Sequence, residues 1–257
     1  MTYTTIAWEV ADGVGTLSFD RPDRLNGITN TMTRELHEAL QDIARDDSVA
    51  VVILTGKGKA FCPGADLQHY SSGEPDEPLR PESFDVPLLL HEMPQVTIAA
   101  INGACAGAGL GYACACDLRY AARRARINTA FLDVAVAGDM GLPWTLPRII
   151  GSARARELSL LPRKLTADEA AGFGLVNETF DDDVLLDEVR ARAARLAASA
   201  PLARRALKSQ YAEAERMGFA EFIRLETERH MRISSSADCR EAFSAFVEKR
   251  PAQFRGR

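Results

Sequence analysis

The feature that most constrains the fold is a run without any charged residue from Met93 to Cys116. A run of this length could in principle span a bilayer. Its composition is rich in Gly and Ala, however, and it follows Pro94, contains Asn102 and ends directly at Asp117. These properties favour a buried strand followed by a buried helix over a membrane span, and therefore predict an α/β protein.

Strand and helix periodicities alternate along the first part of the chain. Alternating apolar residues on both sides of Asp12-Gly13 predict a hairpin with a tight turn. Helical spacing over 32–43 follows two candidate N-cap residues, Asn30 and Thr31. Further segments predict strands at 50–54, 95–101 and 118–122 and a helix at 108–116. This alternation is typical of an α/β chain with crossover helices.

The remaining segments predict a loop and a helical end. Residues 68–87 contain four prolines and several acids, which predicts a mobile surface loop. Thr166 and Glu169 form a capping box, so a short helix is expected to end by 172–174. From about Asp183 onward the pattern predicts helices only, broken at Pro201, Gly218 and 234–236. We therefore expect a core over 1–195 and a C-terminal helical region over 196–257.

Charge and composition exclude several classes of protein. The formal net charge of -5 argues against a nucleic-acid-coating protein. The N-terminal residues lack the basic and apolar regions of a signal peptide, and the five cysteines lie mostly among small apolar neighbours, as in reduced cytosolic proteins. We therefore expect a cytoplasmic location. The four histidines show no ligand spacing, so no metal site is expected.

Two segments rich in small residues follow predicted strands. Phe61–Leu67 comes after the strand that ends at Leu54, and Asn102–Gly111 follows the next strand and runs into a helix. Small residues let the backbone approach a ligand, and the first amides of a helix attract negative charge. The second segment therefore indicates an anion site, although close helix–strand packing also accounts for it. A dinucleotide fingerprint is disfavoured because the glycines lack its final spacing.

Several motifs together resemble the enoyl-CoA hydratase/isomerase, or crotonase, superfamily nearly end to end. They are Asp20–Asn26, Phe61–Leu67, Ala100–Asp117, Leu165–Val176 and Ser236–Phe254. The resemblance implies an α/β spiral of ββα turns with a C-terminal helical trimerisation region, assembled as a homotrimer or a dimer of trimers. It also implies an acyl-CoA thioester as substrate and no separate cofactor, because coenzyme A is part of that substrate.

The resemblance also implies which residues form the site. The backbone amides of Ala65 and Ala108, in loops that contain Gly64 and Gly107, would hold the thioester oxygen. The positions that match coenzyme A contacts are Arg24, Leu25, Asp66 and Leu67. An ordinary solvated arginine is an equally good interpretation of Arg24.

The resemblance separates hydratase from isomerase chemistry. Hydration needs two glutamates in the family, and the matching positions here are Gly111 and Phe131, the second of which we expect to contact the substrate. The segment around Asp139 instead resembles the ring-1,2-epoxyphenylacetyl-CoA isomerase and 3,2-enoyl-CoA isomerase subgroup, in which an aspartate there moves a proton from the α- to the γ-carbon. We therefore predict an isomerase that uses Asp139 as its base.

Other interpretations of the same residues stay open at this point. An aspartate before a helix is commonly an N-cap, so Asp139 could be structural. Asp133 is a second candidate acid, and Asp139 could also act as a nucleophile, as in dehalogenases of the superfamily. Apolar neighbours such as Phe131, Val136 and Trp144 would raise the pKa of Asp139. A hydratase and a non-catalytic acyl-CoA-binding protein remain the alternatives in function.

Overall fold

The larger of two β-sheets is built on the predicted hairpin. The computed structural model describes residues 3–257, and within them this sheet has six strands. In spatial order they are β1 (Ile6–Ala11), β2 (Val14–Phe19), β3 (Val51–Gly56), β5 (Val96–Ile101), β7 (Leu118–Ala122) and β10 (Glu178–Phe180). β1 and β2 are antiparallel, and every other neighbouring pair is parallel. The predicted hairpin and the three predicted core strands are confirmed.

A smaller sheet was not predicted from the sequence. Its strands, in spatial order, are β4 (Ala60–Cys62), β6 (Ala104–Ala106), β8 (Arg126–Asn128) and β9 (Leu165–Thr166). Strands of two or three residues are too short to show an alternating pattern, which explains the omission. β4 and β6 are parallel, and Cys62 lies opposite Cys105 in their register.

Helices cover both faces of the larger sheet. Those before the C-terminal region are α1 (Asn30–Arg45), α2 (Leu67–Ser72), α3 (Val86–Glu92), α4 (Ala108–Ala115), α5 (Leu142–Ile150), α6 (Ser152–Leu160) and α7 (Ala167–Gly172). The capping box of Thr166 and Glu169 at α7 is confirmed. The N-cap of α1 is Thr29, whose hydroxyl accepts a hydrogen bond from the Met32 amide. The predicted caps, Asn30 and Thr31, are instead the first two residues of the helix, so that prediction was wrong.

The loop prediction for 68–87 was wrong at both ends. α2 continues to Ser72, a 3₁₀ turn covers Pro81–Asp85, and α3 follows directly, so only 73–80 lack helical structure. Within that short stretch the Asp76 carboxylate accepts hydrogen bonds from the amides of Asn30 (2.7 Å) and Thr31 (3.1 Å). A carboxylate at a helix N-terminus is favourable, and this contact ties the segment to α1.

The prediction of helices only after Asp183 is confirmed as far as Glu248. These helices are α8 (Leu185–Ala197), α9 (Pro201–Ala214), α10 (Phe219–Ser234) and α11 (Ala237–Glu248). α8 packs Leu185, Val189 and Ala193 against the larger sheet in a second hydrophobic core. The predicted division between residues 195 and 196 falls inside α8 and stays a prediction. No helix within residues 3–257 is both long and apolar enough to cross a membrane.

Candidate active site

The smaller sheet brings two backbone amides together. Because β4 and β6 are parallel with Cys62 opposite Cys105, Ala65 and Ala108 each lie three residues beyond a paired position. The loops that follow the strands are in contact: a Cβ atom at Gly64 would lie 3.7 Å from the Ala108 amide N. Gly64 has a φ of +97°, which favours glycine there. The strand register therefore juxtaposes the two predicted oxyanion donors.

Both amides are free to bind an oxygen atom. Within residues 3–257, neither the Ala65 nor the Ala108 N–H donates a hydrogen bond to a protein acceptor. Ala108 is the first residue of α4, and the first N–H groups of a helix have no partner inside it. Two such donors, one of them at the N-terminus of α4 where the helix dipole favours negative charge, can stabilise an oxyanion.

A turn with several left-handed residues presents Asp139. Gly138, Met140 and Gly141 all have positive φ, and the Met140 side chain is buried. The Asp139 Oδ1 atom is buried and lacks a hydrogen-bond partner in the described part of the chain. Burial raises the pKa of Asp139 above its usual value. A buried carboxylate oxygen without a partner is unusual in structural positions and common in functional ones.

Asp139 does not cap the helix that follows it. α5 begins at Leu142, its N-cap is Gly141, and no side chain accepts a hydrogen bond there. Asp139 contributes only its backbone carbonyl, which accepts from the Leu142 amide at 3.0 Å. The N-cap interpretation is therefore wrong, and the carboxylate remains available.

The prediction that Phe131, Val136 and Trp144 form apolar surroundings for Asp139 is only partly right. Phe131 is half-buried and packs against the main core, and a Cβ atom at Gly138 would lie 3.9 Å from its ring. Val136 and Trp144 are 43% and 41% exposed, and Trp144 contacts His91 and Arg148 instead. The pKa of the Cys62 thiol, in β4, is raised to about 12, first by burial and in addition by the charge of Asp139.

The second candidate acid, Asp133, differs from Asp139 in its surroundings. It lies in an exposed 3₁₀ turn, Leu132–Val134. An exposed carboxylate at this point lacks the desolvation that distinguishes Asp139.

Gly111 lets α4 pack directly against the Asp139 turn. A Cβ atom at Gly111 would lie 2.6 Å from the Met140 Cβ and 2.8 Å from the Met140 carbonyl O. Gly111 follows Ala108 by three residues and therefore lies on the same side of α4. The sequence indicated only that Gly111 stands where the family's hydratases have a glutamate, and it did not reveal this packing role.

The residues predicted to contact coenzyme A have distinct environments. Leu25 and Leu67 are 51% and 55% exposed, as expected for residues that could cover a ligand. Arg24 forms an ion pair with Glu74 (Nη2 to Oε1, 3.0 Å). Asp66 is buried: it forms an ion pair with Arg21 at 2.8 Å and caps α2. The Asp66 side chain is therefore engaged in the fold.

Asn26 is a structural residue that sequence reasoning included only as part of a motif. It is fully buried with a φ of +62°, and its Nδ2 donates to the carbonyls of Lys57 (3.0 Å) and Ala60 (2.8 Å). Its Oδ1 accepts from the Arg21 amide at 2.9 Å. These bonds join the Asp20–Asn26 segment to the start of β4, just ahead of the Ala65 loop.

Potential metal ligands do not cluster in the described part of the chain. No group of three or more His, Cys, Asp or Glu residues among 3–257 is arranged to hold a metal ion.

The two sheets, their crossover helices and the C-terminal helices define a protein of the crotonase fold. The crystal structure of an enoyl-CoA hydratase from Bacillus anthracis superposes with a TM-score of 0.92 and 29% identity, over 99% of this chain and 100% of that chain. A family model described as Enoyl-CoA hydratase/isomerase matches residues 9–257. The chain therefore belongs to the enoyl-CoA hydratase/isomerase family and is an acyl-CoA enzyme of the crotonase superfamily.

Two curated relatives show similar identity under different names. The chain is 36% identical over 254 residues to the 1,2-epoxyphenylacetyl-CoA isomerase of Escherichia coli, covering 96% of this chain and 97% of that protein. It is 38% identical over 260 residues to a "Probable enoyl-CoA hydratase" of Rhodobacter capsulatus, covering 100% of both. Overall similarity therefore does not distinguish isomerase from hydratase.

Proposed function

We propose that this protein is an acyl-CoA isomerase that shifts a double bond, or rearranges a ring-epoxide thioester, with Asp139 as its single base. The observation that carries the proposal is the unpaired, buried Oδ1 of Asp139 on a turn that packs against α4. The 1,2-epoxyphenylacetyl-CoA isomerase among its relatives supports the same class of reaction.

The mechanism for a 3-enoyl thioester needs one base and two donors. Asp139 removes a proton from the α-carbon, and the electron pair moves onto the thioester oxygen to give a dienolate. The amides of Ala65 and Ala108 hold that oxygen, and each such donor typically contributes about 3 kcal/mol of transition-state stabilisation. Asp139, now protonated, returns the proton to the γ-carbon, which leaves the double bond between the α- and β-carbons.

The surroundings of Asp139 suit a group that must act first as base and then as acid. Burial disfavours the charged carboxylate and raises its pKa, so the protonated form is a competent intermediate state. The Oδ1 atom has no hydrogen-bond partner among the described residues, so no protein contact competes with its action on the α-carbon and then on the γ-carbon.

Hydratase activity is the main alternative, and two features oppose it. Gly111 and Phe131 occupy the positions where the family resemblance places the two glutamates that activate water. A side chain at position 111 would also overlap Met140.

A non-catalytic acyl-CoA-binding protein is the other alternative. The unpaired Oδ1 atom of Asp139 opposes it, because a purely structural aspartate would normally be hydrogen-bonded.

The proposal includes assembly into a homotrimer or a dimer of trimers. The C-terminal helices leave large apolar side chains uncovered, among them Phe219, Phe246 and Val247, which are 79%, 86% and 79% exposed. Apolar patches of this kind are typical of subunit contacts. Light scattering of the purified protein would measure the mass, and a monomer at micromolar concentration would contradict this part of the proposal.

The test of function is isomerisation of a 3-enoyl-CoA to the conjugated 2-enoyl-CoA, followed by absorbance. Wild type should isomerise the substrate and hydrate a 2-enoyl-CoA poorly, whereas Asp139→Asn should lose isomerisation and still bind the thioester. Asp133→Asn is the matched control, because it removes an exposed carboxylate six residues away. Full activity in Asp139→Asn, or rapid hydration by wild type, would contradict the proposal.

A further inference from the structure

The Phe131 ring joins the two halves of the proposed site. A Cβ atom at Gly107 would lie 3.8 Å from the Phe131 Cε1 atom, and one at Gly138 would lie 3.9 Å from its Cδ2 atom. Cε1 and Cδ2 are opposite corners of a phenyl ring, so the ring fills the space between the two glycines. Gly107 directly precedes Ala108, and Gly138 directly precedes Asp139. The ring therefore lies between the loop of one oxyanion donor and the turn of the base.

Backbone hydrogen bonds hold Phe131 in this position. Its carbonyl oxygen accepts from the amides of Val134 (3.1 Å) and Val136 (3.0 Å), which closes residues 131–136 into a compact loop. The Asn128 carbonyl accepts from the Gly107 amide at 3.2 Å, which ties the strand before Phe131 to the oxyanion loop. The side chain is half-buried and packs against the main core. Part of the ring is thus anchored, while another part remains exposed.

The buried oxygen of Asp139 has apolar side chains on the residues around it. Oδ1 is buried and has no hydrogen-bond partner within residues 3–257, although Asp139 as a whole is only half-buried. Keeping water from a carboxylate oxygen is costly, so apolar atoms must cover it for a reason. Met140 packs against Gly111 on one neighbouring residue of the turn, and the Phe131 ring lies beside the other neighbour, Gly138.

We propose that Phe131 shields Asp139 from water, so that the proton taken from the α-carbon goes to the γ-carbon instead of exchanging with solvent. This inference rests on the proposed function and makes Phe131 a positioning residue that acts through Asp139. The α C–H bond breaks as the Asp139 O–H bond forms, and the electron pair moves into the dienolate. The O–H bond then breaks as the γ C–H bond forms. A water molecule at the protonated carboxyl would exchange that proton for one of its own, and exclusion of water prevents such proton leakage.

The test measures how much of a deuterium label is kept. A 3-hexenoyl-CoA with deuterium at both α positions would be isomerised in ordinary water, and NMR would give the fraction of 2-hexenoyl-CoA with deuterium at the γ-carbon. Wild type should keep a measurable fraction. Phe131→Ala opens the space beside Gly138 and should lower this fraction at least about fivefold, because water then reaches the protonated carboxyl. The fraction compares two products of one reaction, so a purely structural defect that slows the enzyme does not change it.

Two further variants separate shielding from general packing. Phe131→Met keeps a long apolar side chain that can fill the same gap, and it should retain most of the γ-deuterium. Leu132→Ala removes an exposed apolar neighbour and should leave the fraction unchanged. Equal fractions in wild type and Phe131→Ala, in a reaction that Asp139→Asn does not catalyse, would overturn the inference and leave the proposed function intact. A wild-type product without γ-deuterium would overturn it as well.

A second measurement does not depend on turnover. Crystal structures of wild type and Phe131→Ala with hexanoyl-CoA, which has no double bond to move, would show whether water lies within hydrogen-bond distance of Asp139 Oδ1. We expect none in the wild type and one in Phe131→Ala. If the wild type fails to isomerise but this difference appears, the proposed function fails and the shielding role of Phe131 stands. Water at Oδ1 in the wild-type complex, which needs no variant to fold, or its absence in both complexes, would overturn that role.

Discussion

Gly111 and Met140 approach so closely that a Cβ atom at position 111 would lie 2.6 Å from the Met140 Cβ. The contact holds the turn that carries Asp139 against α4, whose first residue is Ala108. The family resemblance places a hydratase glutamate at position 111. In this chain the Asp139 turn therefore occupies the space that such a glutamate would need.

Replacement of Gly111 should disturb the site without creating a hydratase. Gly111→Ala forces Met140 to move, and overpacking of this kind typically costs about 1–3 kcal/mol in the free energy of unfolding. Gly111→Glu should destabilise further and gain no hydration of 2-enoyl-CoA. Urea denaturation and a hydration assay measure the two effects.

Gly172→Ala is the matched control for those variants. A Cβ atom at Gly172, in α7, would meet no other atom within 4 Å, so alanine should leave stability unchanged or raise it by about 0.4–1 kcal/mol. Efficient hydration by Gly111→Glu would contradict the view that a glutamate at position 111 and the Asp139 turn compete for the same space.

The Ala108 amide can be removed with little damage to the helix. Proline is tolerated at the first position of a helix, where the N–H has no partner in the helix, so Ala108→Pro deletes one oxyanion donor. We expect kcat to fall about 100- to 1000-fold. Ala108→Ser keeps the N–H and should retain most activity. Equal activity in the two variants, with both folded by circular dichroism, would exclude Ala108 as a donor.

The raised pKa of Asp139 predicts opposite effects of pH on rate and on stability. The base must be ionised, so kcat/KM should fall as pH decreases through a pKa above the ordinary aspartate value. For stability, a folded-state pKa above the unfolded one means that the folded protein binds the proton more tightly. The stability that Asp139 gains from this tighter proton binding is fully present below the unfolded pKa. It is lost as pH rises through the folded pKa.

Asp139→Asn should therefore be inactive and more stable at pH 7. Removal of a half-buried charge without a partner should raise the free energy of unfolding by about 1 kcal/mol, which corresponds to a rise in Tm of roughly 3 °C for a chain of this size. The stability difference should shrink when thermal unfolding is measured near pH 4. A Tm below that of wild type at pH 7 would show that the carboxylate has a stabilising partner.

Lys208 should be a strong structural link between α9 and the larger sheet. Its Nζ lies 2.8 Å from Asp117 and donates to the carbonyls of Leu90 (3.1 Å) and Gln95 (2.8 Å). Lys208→Met removes the lysine donor to the Gln95 carbonyl, while Thr97 still donates to the Leu90 carbonyl and to Asp117. Loss of the buried member of such a hydrogen-bonded ion pair costs about 1–3 kcal/mol. Arg205→Met, on the same helix, removes an exposed pair with Asp47 and should cost under about 1 kcal/mol. Similar losses in the two variants, measured by urea denaturation, would contradict a special role for Lys208.

The sequence was most informative where long periodic segments or special residues set the structure. The Asp12-Gly13 hairpin, the strands β3, β5 and β7 of the larger sheet and the C-terminal helices follow from periodicity and from Pro201 and Gly218, whereas the three-residue strand β10 was not predicted. The smaller sheet could not be found in this way, because pairing between distant short segments, and not local preference, creates its strands. Its Cys62–Cys105 register is nevertheless what places Ala65 beside Ala108.

The family resemblance supplied the candidate site, and physical detail came from the structure. Only coordinates reveal that Asp139 caps no helix and that Asp66 is engaged with Arg21. Each of these depends on the direction of a side chain in a packed interior. A single sequence records residue types but not those directions.

The most direct test of the one-base account follows the transferred proton itself. A 3-enoyl-CoA labelled with deuterium at the α-carbon would be isomerised in ordinary water, and mass spectrometry with NMR would locate the label in the 2-enoyl product. If Asp139 carries the proton between the two carbons, part of the label should appear at the γ-carbon, and Asp139→Asn should form no product. Isomerisation that continues in Asp139→Asn, or a wild-type product without any γ-deuterium even at the shortest reaction times, would contradict the account.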